Sequence, residues 1–122
     1  MSAAIKVYTL AQCSTCRDAT RWLRAQRLDF DERAIRETPP TLPELRAMLA
    51  AHGGEIRRLF NTSGLEYRAQ KLAEKLPALS ETAALALLAG NGSLVKRPFL
   101  LGGGAALLGF DAAKWAAALG KK

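Results

Sequence analysis

The sequence has no apolar run that could cross a lipid bilayer, although 49% of its 122 residues are hydrophobic. A membrane-spanning helix needs about 20 consecutive apolar residues, and the longest runs in this chain are far shorter. The segment from Met1 to Tyr8 also lacks the basic head and the long hydrophobic middle of a secretory signal. These absences predict a cytoplasmic protein with no membrane partner.

Metal ligands are scarce as well, because the chain has two cysteines and a single histidine, His52. A structural zinc site needs four ligands in a tetrahedral arrangement, and one histidine cannot complete such a site around the cysteine pair. We therefore predict no metal site and no bound cofactor.

Acidic residues are in the minority: 18 lysines and arginines stand against 11 aspartates and glutamates, for a net charge of +7. The basic residues are spread over the whole chain, which is typical of a solvated surface. An acidic partner or a nucleic acid is the alternative, and direct nucleic-acid binding is not favoured.

One group of basic residues has a more specific pattern. Arg17, Arg21 and Arg24 have the spacing i, i+4 and i+7, which on a helix gives a basic stripe that begins beside Cys16.

Both cysteines belong to one short motif, Cys13-Ser14-Thr15-Cys16, which follows an apolar run and opens an amphipathic segment. The backbone N–H groups and the dipole at the start of a helix stabilise a thiolate, so Cys13 is the predicted nucleophile. Cys16 lies one helical turn further on, where we expect it to be shielded and to resolve the product. In a reducing cytoplasm such a pair is seldom a permanent disulfide. Thiol redox chemistry is the leading hypothesis, and a pair of inert core cysteines is the weaker one.

The order of predicted elements indicates an α/β protein. We predict, in order, a strand at 4–10, a helix at 14–27, a weaker strand at 28–35, a helix at 41–52, short helices within 55–76, a helix at 81–89, strands at 94–101 and 105–110, and a helix at 112–119. This is the order of a thioredoxin-like fold, with a small mixed four-stranded sheet flanked by helices and a helical insert at about 40–90. Other α/β folds stay open on the pattern alone. We expect residues 1–122 to form one domain and a monomer.

The chain resembles the arsenate-reductase-like superfamily, and within it the branch of the Spx and MgsR redox regulators. The motifs that carry the resemblance span nearly the whole chain: Cys13 to Arg17, Phe60 to Gly64 with Tyr67-Arg68, Lys96 to Phe99, and Leu108 to Phe110. Each motif is weak alone, but the set in this order and spacing is specific. The resemblance implies the thioredoxin-like fold independently of the element pattern.

The resemblance also implies roles for individual residues. Cys13 matches the nucleophilic cysteine of the arsenate reductases, and Arg17 matches the arginine of their C-x-x-x-R loop. Arg97 matches an arginine that faces the cysteine and helps to hold an oxyanion. Pro98 matches the cis-proline next to that arginine. The site predicted from the resemblance therefore consists of Cys13, Cys16, Arg17, Arg97 and Pro98.

Three positions depart from the reductase pattern. Thr9 replaces a histidine, Asn61 replaces an arginine of the middle loop, and Leu108-Gly109-Phe110 lacks the arginine expected after the hairpin. Binding of arsenate, a compact anion, needs several converging guanidinium groups. These departures predict little arsenate turnover.

Three functions remain open from the sequence. The first is a thiol–disulfide reductase in which Cys13 and Cys16 cycle between dithiol and disulfide, with glutathione, glutaredoxin or thioredoxin as the reductant. The second, implied by the Spx-like C-x-x-C motif, is a redox-switched regulator that binds RNA polymerase. The third is a glutathione-dependent arsenate reductase.

Overall fold

The computed structural model of the protein describes residues 4–120. The chain divides into two compact units: the first comprises the residues up to Ala34 and from Arg97 onward, and the second is the intervening segment Ile35–Lys96. Within the described residues, no helix combines the length and the apolar character needed to cross a membrane.

The first unit contains a mixed four-stranded sheet with the strand order β2-β1-β3-β4. Strand β1 runs parallel to β2 and antiparallel to β3, and β3 is antiparallel to β4. Two helices complete the unit, whose elements in chain order are β1 (Ile5–Thr9), α1 (Ser14–Ala25), β2 (Phe30–Ala34), β3 (Phe99–Gly102), β4 (Ala105–Leu108) and α6 (Ala112–Ala118). The predicted α/β class with a small mixed sheet flanked by helices is confirmed.

The core of this unit lies between the sheet and α1. Ala19 and Leu23 are fully buried on α1, on the face opposite the predicted arginine stripe, and they pack in one cluster with Val7 of the central strand. The arginines of the stripe are exposed. The helix therefore has the amphipathic pattern that the sequence predicts, and burial of its apolar face holds α1 against the sheet.

Three consecutive glycines with positive φ values connect β3 to β4: Gly102 at the end of β3, with a φ of 124°, and the turn residues Gly103 and Gly104. A Cβ atom at Gly102 would overlap the backbone carbonyl of Ala4, so this position requires glycine for its conformation and for space.

The second unit is helical and contains the segment predicted as the insert. Its α-helices are α2 (Leu42–Ala51), α3 (Leu65–Ala69), α4 (Leu72–Lys75) and α5 (Glu81–Gly90), with 3₁₀ turns at Ile56–Leu59, Leu76–Ala78 and Gly92–Leu94. Thr41 caps α2 through a reciprocal hydrogen-bond pair with Glu44, and Pro43 lies in the first helical turn. The chain changes direction between α3 and α4 at Lys71, whose φ is 54°.

The prediction of a strand over 94–101 is wrong in its first half. Asn91 caps a 3₁₀ turn that ends at Leu94, and β3 begins only at Phe99. Between these elements Val95 forms an isolated bridge with Phe60, and the peptide bond before Pro98 is cis. Pro98 has no N–H to donate to a β-ladder, which explains why regular pairing begins after it.

Candidate functional site

Cys13 is the N-cap of α1 and ends the short loop after β1. Its backbone N–H donates to the carbonyl oxygen of Leu10 at 3.0 Å, which closes the loop. Its Sγ atom accepts a hydrogen bond from the backbone N–H of Cys16 at 3.3 Å. The side chain is half-buried and is a free thiol. The sulfur thus lies at the helix start, where N–H groups that lack helical partners favour an anion.

Cys16 lies inside the first turn of α1 and is 1% exposed. Burial raises the pKa of the Cys16 thiol to about 12, and the hydrogen bond and the charge of the neighbouring Cys13 act in the same direction. A backbone hydrogen bond with Leu10 and the positive charge of Arg97 oppose this rise in pKa. The two sulfurs are therefore unequal, since Cys13 is accessible and Cys16 is buried and held as a neutral thiol.

Arg17 is exposed, and its Nη1 atom donates to the carbonyl oxygen of Ala11 at 2.9 Å. This contact braces the loop that carries Cys13. A guanidinium group has five donors, so the contact leaves others for an anion. The anion-binding role of Arg17 stays a prediction.

Arg97 and Pro98 precede β3 in the same unit as the cysteines. The Arg97–Pro98 bond is cis, Pro98 is buried and Arg97 is half-buried. The charge of Arg97 acts on the Cys16 thiol, which indicates that the guanidinium lies near the dithiol pair. Of the two arginines predicted for the site, Arg97 has an electrostatic effect on the Cys16 thiol. Its role in holding a substrate oxyanion stays a prediction.

Trp115 supports this segment from the last helix. Its Nε1 atom donates to the carbonyl oxygen of Gly109 at 3.0 Å, and the Gly109 N–H donates to the carbonyl oxygen of Pro98 at 2.9 Å. Gly109 has a φ of 69°, which suits glycine. Trp115 is only 1% exposed, and no local signal in the sequence predicts this hydrogen-bonded chain to Pro98.

Thr9, which replaces the histidine of the arsenate reductases, is buried at the end of β1. Its hydroxyl donates to Glu32 Oε2 at 2.6 Å, and Glu32 also lies 3.7 Å from the guanidinium of Arg24. Thr9 is therefore engaged in a contact between β1 and β2. Within residues 4–120, no group of three or more histidine, cysteine, aspartate or glutamate side chains forms a metal-binding cluster.

The raised pKa of Cys16 should make the stability of the fold fall in alkaline solution. The folded chain keeps the Cys16 proton up to a pKa of about 12, whereas the unfolded chain releases it near 9.0. Between these values the folded state binds more protons, so the free energy of unfolding decreases as the pH rises. Urea denaturation under reducing conditions at about pH 8 and about pH 10 measures this for the wild type and Cys16→Ala. The stability advantage of the wild type should shrink at the higher pH, and a constant or growing advantage would contradict the assignment.

Comparison with known proteins places this geometry in a family. The model of the ArsC family matches residues 8–118. The uncharacterized protein YusI of Bacillus subtilis is 39% identical over 107 residues, which are 88% of this chain and 91% of YusI. The global transcriptional regulator Spx of Enterococcus faecalis is 30% identical over 97 residues, which are 80% of this chain and 72% of Spx.

Solved structures agree with the sequence comparison. An ArsC family related protein from Bacteroides fragilis superposes with a TM-score of 0.87 at 36% identity, over 96% of this chain and 98% of that one. An arsenate reductase from Vibrio cholerae has the same fold, with a TM-score of 0.82 at 23% identity over 98% of this chain and all of that one. The match to the family model covers the dithiol motif, the helical unit and the hairpin. The chain belongs to the ArsC family.

Proposed function

We propose that the chain is a cytoplasmic thiol–disulfide oxidoreductase that works through Cys13 and Cys16. The observation that carries the proposal is the hydrogen bond of 3.3 Å from the Cys16 N–H to the Cys13 sulfur at the start of α1. It stabilises a thiolate on the more accessible cysteine and places the second cysteine one helical turn away. Membership of the ArsC family supports thiol chemistry for this pair.

In the first step, the Cys13 thiolate attacks one sulfur of a substrate disulfide. A Cys13–substrate disulfide forms, the substrate S–S bond breaks, and the other substrate sulfur leaves as a thiolate that takes a proton from solvent. Arg97 contributes positive charge that acts on Cys16, the partner of the reacting thiolate. Arg17 keeps the loop that carries Cys13 in place through its contact with Ala11.

In the second step, Cys16 gives its proton, through solvent, to the substrate thiolate that leaves, and attacks the Cys13 sulfur. The Cys13–Cys16 disulfide forms and the second substrate thiolate leaves, so two electrons have passed from the dithiol to the substrate. Burial, the main cause of the raised pKa of Cys16, persists in this step, whereas the negative charge of Cys13, which also raises that pKa, is removed once Cys13 is bonded to the substrate. A thiol reductant such as glutathione, glutaredoxin or thioredoxin returns the pair to the dithiol.

Replacement of the resolving cysteine should trap the intermediate. Cys16→Ser treated with oxidised glutathione should accumulate a stable mixed disulfide on Cys13, because no second thiol can displace glutathione. The wild type should instead reach an internal Cys13–Cys16 disulfide, since cysteines three residues apart at a helix start lie within bridging distance. Intact-mass and peptide mass spectrometry under non-reducing conditions distinguish the two products.

Cys13→Ser is the matched control, because it keeps one cysteine in the same motif. The buried Cys16 should form the mixed disulfide far more slowly than Cys13 does. If both thiols of the wild type stay free in excess diamide, or if Cys13→Ser reacts as fast as Cys16→Ser, the proposed mechanism is wrong.

A redox-switched regulator that binds RNA polymerase is the second candidate. The observation in its favour is the similarity to the global transcriptional regulator Spx of Enterococcus faecalis. In this case the dithiol would act as a switch and not as a catalyst. Capture of RNA polymerase by the tagged chain, compared between reduced and diamide-oxidised protein and against Cys13→Ser, separates the candidates. Redox-dependent capture supports a regulator, and turnover of a disulfide without capture supports an oxidoreductase.

A further inference from the structure

We propose that the helical unit contains a second binding site, which takes a small organic anion with an apolar body. The site is a cavity of about 400 Å³ between the first 3₁₀ turn and helices α3 and α4. Its volume is in the range of pockets that hold small molecules. The lining residues are Arg57, Thr62, Tyr67, Arg68, Lys71, Ala73 and Glu74.

The lining of the cavity is predominantly basic, with three cationic side chains against the one carboxylate of Glu74. The neighbouring Arg58 lies outside the cavity and pairs with Glu55 at 2.9 Å. By contrast, Arg57 and Lys71 make no ion pair within the part of the chain that the structure describes. Arg57 and Lys71 are exposed, and with Arg68 they outnumber the one carboxylate, so the net positive charge at the cavity favours an anionic ligand.

Arg68 is held by a contact with the backbone, and Lys71 lies where the backbone turns. Arg68 donates through Nη2 to the carbonyl oxygen of Ser63 at 3.2 Å, which holds its guanidinium over the loop before α3. Lys71 adopts the left-handed conformation with a φ of 54°, at the point where α3 gives way to α4. This conformation ends α3 and turns the chain into α4 beside the cavity.

Tyr67 lines the same cavity and carries an unpaired polar group. The residue is 4% exposed and packs against Phe60 with ring centroids 6.0 Å apart. Its hydroxyl is buried and has no hydrogen-bond partner among residues 4–120. Buried hydroxyls are nearly always hydrogen-bonded, so we assign the oxyanion of the ligand as the missing acceptor.

A second cavity, of about 330 Å³, shares Arg57, Tyr67 and Ala73 with the first. Its other lining residues are Ile56, Leu76 and Pro77, so it is mainly apolar. The two cavities adjoin along Tyr67 and Ala73. This arrangement accommodates an anionic group on the basic side and a ring or a branched chain on the apolar side.

The proposed site is independent of the dithiol chemistry. All its lining residues lie within Ile35–Lys96, whereas both cysteines lie in the other unit. The proposal therefore does not rest on the proposed function, and each can fail alone.

Phenyl phosphate is a suitable probe, because it combines a phosphate group with an aromatic ring. Titration into the ¹⁵N-labelled full chain should shift backbone amide signals that cluster within residues 56–77. Calorimetry should give at least about tenfold tighter binding for phenyl phosphate than for inorganic phosphate or phenol, since each of these occupies one half of the site. The proposal is overturned if no saturable binding occurs below about 10 mM, or if the three probes bind equally well.

Variants separate this site from general attraction to a basic protein. Arg57→Gln combined with Lys71→Gln should weaken phenyl phosphate binding about tenfold or more. Arg46→Gln combined with Lys75→Gln removes the same charge from exposed positions that line neither cavity, and should leave binding unchanged. Tyr67→Phe should weaken binding while the unfolding midpoint of the free protein stays the same or rises. Equal losses in the two double variants, or unchanged binding by Tyr67→Phe, would overturn the assignment.

Discussion

At pH 7, iodoacetamide should modify Cys13 and leave Cys16 almost unmodified. The reagent reacts with the thiolate, and a thiol with a pKa of about 12 is ionised in only about one molecule in 10⁵ at this pH. An unperturbed cysteine is ionised to about 3% under the same conditions. Cys16 is in addition only 1% exposed. We therefore expect Cys16 to react at least about 10³-fold more slowly than a free cysteine.

Peptide mass spectrometry of samples quenched over time gives the two rates in one protein. The same chain unfolded in guanidinium chloride is the control, since both cysteines should then react at similar rates. Cys13→Ser tests the buried thiol without competition from its neighbour. Equal rates in the folded chain, or faster loss of Cys16, would reverse the roles proposed for the two cysteines.

Arsenate reduction with glutathione and glutaredoxin should be very slow. Thr9, Asn61 and Gly109 occupy the positions at which the resemblance to arsenate reductases implies a histidine and two arginines. Each charge-assisted hydrogen bond missing from an anion site costs on the order of 1.5–3 kcal/mol. Two missing arginines therefore imply roughly 10²–10⁴-fold weaker binding of the transition state.

The structure adds a reason why Thr9 and Gly109 in particular should not contribute to arsenate binding. The Thr9 hydroxyl already donates a hydrogen bond to Glu32. Gly109 has no side chain, and its backbone N–H already donates to the carbonyl oxygen of Pro98. The assay compares arsenate turnover with reduction of a small disulfide by the same preparation, so that an inactive sample is recognised. Arsenate turnover similar to that of a dedicated reductase, and lost in both Cys13→Ser and Arg97→Ala, would refute the prediction.

The parts of the site that follow from local sequence could be predicted, and the parts that depend on distant segments could not. The C-x-x-C motif after an apolar run predicts a cysteine at a helix start, and Cys13 is the N-cap of α1. Helix α1 follows equally well from its pattern of apolar and basic residues. By contrast, the contact between Thr9 and Glu32 joins residues 23 positions apart and depends on the parallel register of β1 and β2.

The helical unit shows the same limit. The sequence predicts helices up to about residue 76, but the interruption at Lys71 is a backbone conformation that its side chain gives no reason to expect. The cavity beside it involves residues from a 3₁₀ turn and two short helices, and no spacing rule connects them. Composition predicts that the chain is basic, but it does not predict which lysine or arginine lacks a counter-ion.

The hydrogen-bonded chain from Trp115 through Gly109 to Pro98 gives the last helix a function that its own residues do not suggest. Helix α6 has seven residues, mostly alanine, and contributes no thiol. Through Trp115 it nevertheless anchors the backbone next to Arg97, the cation that acts on Cys16. A chain that ended after β4 would keep both cysteines and both site arginines, yet it would lose this anchor. The part of the chain that holds both cysteines together with this anchor therefore extends from β1 through α6.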